Sequence, residues 1–259
     1  MARIAGEDAR FLAGGQSLVP MMNFRIVSPT ALVDLSGCSD LAYVRYGGDK
    51  LHIGAMTRQF DAEADPLVRR HCPLLAEALS HAGPATIRHR ATVGGSIANG
   101  YPVAELPVVA RCLDAEMIVA SARGQRRIAA ADFFVSGMVT ALEPGELLSE
   151  IAFPVQGPEM RFAFTESGNH SGGSALAIVA ANAEFAAGGQ LSKLSLSAAG
   201  IASIPVRLAN IEMALVKGGL DVSIAAAYQS DMAALRANAA EPSLVEALVE
   251  DAVTRLKGL

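Results

Sequence analysis

The sequence predicts an α+β protein built in two parts, residues 1–155 and 156–259. Three observations point there. Short apolar strand candidates alternate with helical patterns over the first part, as in a mixed sheet-and-helix domain. Two prolines and a glycine then interrupt the chain at FPVQGPEM (153–160), where a boundary is expected. Beyond it, three strand candidates are followed by a run of amphipathic helices, which predicts a smaller α+β domain with a three-stranded sheet and helices on one face.

In chain order, the strand candidates of the first part are RFLA (10–13), ALVDL (31–35), KLHIGA (50–55), AEMIVA (115–120) and ELLSEIAF (146–153). Thr57 is placed to cap a helix in TRQFDAEA. Pro66 suits the first turn of PLVRRHCPLLAEALSHAG, where Leu67, Leu74, Leu75, Ala78 and Leu79 recur at helical spacing and Gly83 closes the helix. A further helix is expected from Pro102 to Leu113, with Val103, Leu106, Val109, Ala110 and Leu113 on one side. In the second part, RFAFTE (161–166), SALAIVAANAEF (174–185) and QLSKLSLSAAG (190–200) read as strands. PVRLANIEMALVKGG (205–219), DVSIAAAYQSDMAALRANAA (221–240) and PSLVEALVEDAVTRLKG (242–258) read as helices, with Asp221 and Pro242 as starts.

Composition narrows the function classes. The chain has 259 residues, 51% of them hydrophobic, enough to bury a large core. Apolar runs such as ALAIVAANAEF stop well short of the roughly 18 to 20 residues that cross a bilayer, so no membrane span is expected. Glu7 and Asp8 stand where a secretory leader would be apolar, which leaves the cytoplasm as the expected location. Cys38, Cys72 and Cys112 form no CxxC pair, and five scattered histidines offer no HxxxH or HExxH spacing, so neither a disulfide framework nor a metal site is expected. Net charge is −5 and the basic residues form only small knots, which argues against a nucleic-acid partner.

Two stretches carry more information. FLAGGQSL (11–18) and TVGGS (92–96) each run from apolar residues through Gly-Gly to a small hydroxyl residue. Glycines at Gly14, Gly15, Gly94 and Gly95 let a backbone approach a ligand closely and present amides to it, and a helix after Ser17 would add the positive end of its dipole. The same grammar also describes a plain tight turn. Neither stretch has the GxxxxGK[ST] of a triphosphatase loop or the GxGxxG of a dinucleotide-binding strand–helix unit.

AGGQSLVPMMNFRIVSPTALVDLSG (13–37), IRHRATVGGSIANGYPVAELP (87–107) and ALEPGELLSEIAFP (141–154) together resemble the FAD-binding medium subunit of the molybdenum hydroxylases. That family includes carbon monoxide dehydrogenase, the flavin domain of xanthine dehydrogenase and bacterial N-heterocycle hydroxylases. The resemblance implies a two-part FAD-binding domain of the vanillyl-alcohol oxidase/MurB type, N-terminally short here, followed by the smaller C-terminal domain. It implies FAD held by Phe11, Leu12, Ala13, Gly14, Gly15, Gln16, Ser17 and Leu18 on one side and by Thr92, Val93, Gly94, Gly95 and Ser96 on the other. Glu105 matches an acidic position close to the flavin, and Leu148 an apolar residue packed near its ring.

The resemblance further implies an electron-transfer role with no catalytic residue in this chain. A large subunit would oxidise the substrate at a molybdenum cofactor, and a small subunit with two-iron, two-sulfur clusters would pass electrons to the FAD, in a dimer of heterotrimers. The alternatives are a stand-alone flavin oxidase or reductase of the same superfold and a flavin-free structural subunit. Some positions depart from the family pattern. Thr165 stands where some members have Lys, Gly173 and Ser174 replace an acid and an aromatic, and Tyr101 replaces a common Asp. His89, between Arg88 and Arg90 ahead of the second glycine pair, is either a phosphate or subunit contact or part of a solvated basic turn.

Overall fold

A computed structural model describes residues 8–168, 175–235 and 242–258. The chain opens with β1 (Arg10–Leu12), α1 (Leu18–Asn23) and β2 (Leu32–Asp34), the two strands pairing in parallel with Leu12 opposite Asp34. A hairpin of β3 (Val44–Gly47) and β4 (Lys50–Gly54) leads into α2 (Gln59–Ala64), α3 (Pro66–His71), α4 (Pro73–His81), α5 (Ala85–Arg88), α6 (Val93–Asn99) and α7 (Glu105–Cys112). β5 (Glu116–Ser121), β6 (Gly124–Ala129), α8 (Ala130–Phe133), β7 (Phe134–Ser136), β8 (Val139–Thr140) and β9 (Leu147–Pro154) complete the first part.

β9 runs through the centre of a five-stranded antiparallel sheet ordered β3-β4-β9-β5-β6. Leu51, Ile53, Met117, Val119, Ile151 and Phe153 are buried on it, together with Leu74, Leu75 and Leu79 of α4, Ile97 of α6 and Leu106 and Val109 of α7. The helical spacing of the last six residues is what turns one stripe of each helix inward.

The second part is β10 (Met160–Gly168), β11 (Ala175–Phe185), β12 (Leu191–Ala199), β13 (Val206–Arg207), α9 (Ala209–Gly218), α10 (Ala225–Leu235) and α11 (Pro242–Gly258). Its sheet has four antiparallel strands rather than the three expected, because Val206 and Arg207 extend along β12 before the helix begins at Ala209. Helices cover both faces instead of one. Val179, Ala181, Leu196 and Ala198 face α9, α10 and α11, while Phe164, Ile178, Ala180 and Ala199 join the core of the first part against α4 and α7. The small alanines of β11 suit a strand buried on both sides between helices. Gln156 ties the parts together: its Oε1 accepts from the Leu74 amide at 3.0 Å and its Nε2 donates to Asn182 Oδ1 at 2.8 Å.

Three local expectations change. The helix expected from Pro66 is broken at Cys72, whose φ of −145° is extended, because Pro73 disfavours helical geometry in the residue before it and offers no amide. Asp65 caps the first of the resulting helices, accepting from Leu67 N at 2.8 Å. Thr57 does not cap α2. Its hydroxyl bonds the backbone of Tyr43 instead, and α2 starts at Gln59. The helix placed at 221–240 begins at Ala225, and its last five positions lie outside the described residues, as do His170, Gly173 and Ser174.

Candidate functional site

Both glycine stretches reach one cavity of about 750 Å³, within the size range of ligand pockets. Phe11, Ala13, Gly14, Gly15, Gln16, Ser17 and Leu18 line it from one side, and Thr92, Gly94, Gly95 and Ser96 from the other, with Glu105 and Leu148 also in the wall. Leu12 and Val93 do not line it; Val93 is fully buried in the core beneath α6.

The two stretches are not equivalent. Residues 13–17 form an irregular turn between β1 and α1, with Gly15 at a left-handed φ of 75°. The amides of Gly14, Gly15, Gln16 and Ser17 donate to no acceptor among the described residues, so this turn presents unpaired donors to the cavity. TVGGS, by contrast, is the first turn of α6. Thr92 caps it, with Oγ1 accepting from Gly95 N at 3.0 Å, while Val93 N bonds Thr57 O, Gly94 N bonds Ala55 O and Ser96 N bonds Thr92 O. Those four amides are satisfied within the protein, which corrects the expectation that both stretches would offer backbone donors. The second side contributes hydroxyl and Cα surface.

The glycines answer to chain packing as much as to a ligand. A Cβ on Gly14 would lie 2.1 Å from Arg90 O, and one on Gly94 would lie 2.3 Å from the Cβ of Ala55. These residues let β1, β4 and α6 converge. One on Gly95 would meet the capping Thr92 Oγ1 at 2.7 Å, with Ala13 Cβ at 3.5 Å. Bulk at Gly14 or Gly95 would therefore strike the protein itself before it reached a ligand.

Glu105, the first residue of α7, reaches the cavity wall from a largely desolvated position. Burial raises its carboxyl to about 7; its own backbone amide opposes the shift and the neighbouring Glu166 carboxylate adds to it. Leu148, 3% exposed on β9, contributes an apolar patch. The loop before β9 is held by an ion pair: Glu146 takes two bonds from Arg126, at 2.8 and 2.7 Å, and accepts from Glu143 N at 2.8 Å. Hydrogen bonding to Arg126 keeps the Glu146 carboxyl below the usual range despite burial.

The remaining sequence candidates lie elsewhere. Thr165 is buried and ties β10 to α11 through Leu248 O at 3.0 Å, and Tyr101 is exposed; neither lines the cavity. Arg88 pairs with Glu63 at 2.9 Å, and His89 packs on Phe60 with ring centroids 3.8 Å apart, so both are engaged within the protein. Sequence reasoning missed Gln59, Asn99, Met138 and Thr140 in the cavity wall. Asn99 sits inside the quoted IRHRATVGGSIANGYPVAELP stretch, but no spacing rule singles it out. Gln59 and the β7–β8 hairpin are brought in by tertiary packing alone.

Comparison with known proteins agrees with this architecture. Residues 1–156 match the family described as the FAD binding domain in molybdopterin dehydrogenase. The chain is 34% identical over 224 residues to the 6-hydroxypseudooxynicotine dehydrogenase complex subunit alpha of Paenarthrobacter nicotinovorans, covering 85% of this chain and 76% of that one. It is 34% identical over 216 residues to the carbon monoxide dehydrogenase medium chain of Afipia carboxidovorans, covering 83% and 75%. Among solved structures, carbon monoxide dehydrogenase from Hydrogenophaga pseudoflava superposes with a TM-score of 0.91 at 28% identity, over 99% of this chain and 92% of that one. With that match over most of its length, and with its paired glycine stretches meeting at one cavity, the chain belongs to the family of FAD-binding domains in molybdopterin dehydrogenases.

Proposed function

We propose that this chain is the FAD-carrying, electron-transfer subunit of a heterotrimeric molybdenum hydroxylase. The observation that carries the reading is the turn at residues 13–17, whose unpaired amides face the cavity. A row of backbone N–H groups at a Gly-containing turn suits a pyrophosphate, which needs donors more than it needs lysines. Arg10 is the one cationic side chain among the described cavity-lining residues, so the amides dominate the binding. Ala13 to Ser17 would hold the pyrophosphate, Thr92 to Ser96 would close over it from α6, and Glu105 and Leu148 would flank the flavin ring. The division at residue 155 goes with this reading and is supported by a family match that ends at residue 156.

FAD, when bound, supplies a group that accepts electrons singly and releases them in pairs. The chain's own residues position that group, exclude water from it through Leu148 and Leu142, and hold a proton at Glu105 beside it. Substrate oxidation, by this reading, takes place at a molybdenum cofactor on a large subunit, with electrons arriving from two-iron, two-sulfur clusters on a small one, in a dimer of heterotrimers. The names of the relatives, a complex subunit alpha and a medium chain, support partner subunits. Among the described residues no helix is long and apolar enough to cross a membrane and the three cysteines are unpaired, which supports the cytoplasm as its location.

The complex purified with its partners tests the role. Adding its substrate anaerobically should bleach the flavin absorbance of the complex, while the isolated chain stays oxidised. Bleaching of the isolated chain by the same substrate would instead make it a stand-alone flavin enzyme.

A further inference from the structure

Side chains alternate along β10, so Glu166 points to the same side as Phe164 and away from Thr165. Thr165 bonds the backbone of α11, whereas Phe164 and Ile178, the strand partner of Glu166, are buried against α4 and α7. Glu166 therefore carries a carboxylate onto a face built from apolar residues. Its Oε1 lies 3.2 Å from Nδ1 of His81, the last residue of α4, while its Oε2 is enclosed and meets no donor among the described residues. An enclosed carboxylate oxygen without a donor is costly, and an apolar side chain would fill the position without that cost.

The groups around Glu166 run from the cavity to solvent. At the cavity end stands Glu105, the first residue of α7, whose carboxyl is raised to about 7 by burial first and by the Glu166 carboxylate in addition. At the other end His81 has 39% of its side chain exposed. Helix α4 packs on both α7 and β10, and Ala82, next to His81, is itself in the cavity wall. The nearby charges are otherwise engaged. Glu77, one turn back on α4, has its carboxyl raised by burial and lies 3.9 Å from Arg255 of α11. Arg255 in turn pairs with Asp251 at 3.0 Å and donates to Phe164 O at 3.1 Å.

We propose that His81, Glu166 and Glu105 form a path that carries protons from solvent to the cavity. The inference rests on the FAD reading above. Electrons that arrive singly from iron–sulfur clusters bring no protons, yet a flavin that takes up two electrons also binds at least one proton, so the site needs a supply. Glu105 gives its proton to the cavity and is left as a carboxylate. Glu166, which receives a proton from His81 Nδ1 on Oε1, passes it to Glu105 after a half-turn of its carboxyl exchanges the two oxygens. His81 regains a proton from water through the exposed part of its ring. One proton enters at His81 and one leaves at Glu105, with no net change in the three side chains. Imidazole and carboxyl groups are the side chains suited to such transfers near neutral pH.

The test uses the full chain loaded with FAD and mixed without oxygen with reduced methyl viologen, which gives up electrons and no protons. Flavin bleaching reports the electrons and a pH-indicator dye reports the protons. In the parent the two should keep pace, whereas in Glu166→Gln and His81→Ala proton uptake should lag bleaching by about 10- to 100-fold. Imidazole in solution should restore the pace in His81→Ala, which a lost packing contact would not allow. His52→Ala, altered at a histidine of β4 that pairs with Glu150, should show no lag. Uptake in step with bleaching in both Glu166→Gln and His81→Ala, or a lag in His81→Ala that imidazole leaves unchanged, would overturn the path. Carbon NMR of the flavin-free chain should show Glu105 titrating lower in Glu166→Gln, and an unchanged midpoint would overturn the path as well. A parent chain that takes up no FAD would contradict the flavin reading instead, a distinct result on which the flavin-free titration does not depend.

Discussion

At the scale of single residues, Glu105 gives the sharpest prediction. Its folded carboxyl, raised to about 7, binds a proton more tightly than it does in the unfolded chain, where it titrates near 4.3. Between those values the folded state holds the extra proton, so stability falls as pH rises from about 4.3 through 7, by at most about 4 kcal/mol. Glu105→Gln removes the ionisation. Denaturant unfolding should show the variant gaining stability relative to the parent at pH 8 and not at pH 5; parallel curves at both would refute the buried, proton-holding carboxyl. The glycines make a second test. Gly14→Ala places a methyl on Arg90 O and should cost about 1–3 kcal/mol or more, whereas Gly157→Ala, with nothing within 4 Å, should be close to neutral by thermal melt. Burial pushes the thiols of Cys72 and Cys112 up to about 12, so only Cys38 should react with a thiol reagent until the protein unfolds.

At the scale of elements, the cap of α9 is supplied by a residue distant in sequence. Asp231 of α10, 3% exposed, accepts from Asn210 N, Asn210 Nδ2 and Ile211 N at 3.0, 2.8 and 3.1 Å. Asp231→Ala strands those donors and should lower stability by about 2–3 kcal/mol, several times the effect expected at a surface aspartate such as Asp251. No sequence rule finds such a cap, since the signals for helix starts are local. Pro242 is a local signal and did mark the start of α11, whereas Asp221 stands four residues before the first residue of α10. The same contrast holds at the glycine stretches. FLAGGQSL was legible as a turn with free amides because its conformation is set by Gly15 and its own neighbours. TVGGS was misread as a second such turn, because its helical state depends on Thr57 and Ala55 accepting the Val93 and Gly94 amides, a tertiary contact. Gln59 was invisible for a like reason: the packing of α2 beside α5, with the Gln59 amide on Ala91 O, brings it to the cavity.

At the scale of the whole molecule, the two parts share a core, with Phe164, Ile178, Ala180 and Ala199 of the second sheet buried against α4 and α7 of the first part. A fragment of residues 156–259 would expose that face, so it should be aggregation-prone, while the full chain melts in a single transition by calorimetry. Two separate transitions would mean that the shared face contributes little. The order of strands then helices after residue 160 was readable from periodicity, but the second use of α4 and α7 was not, since their apolar positions serve two sheets at once.

The central claim is that the turn at residues 13–17 and helix α6 hold one FAD. Denaturing the purified full chain and chromatographing the released chromophore measures it directly. One FAD per chain and no FMN is the expected result. Release of FMN, or a colourless protein that takes up no FAD on incubation, would contradict it.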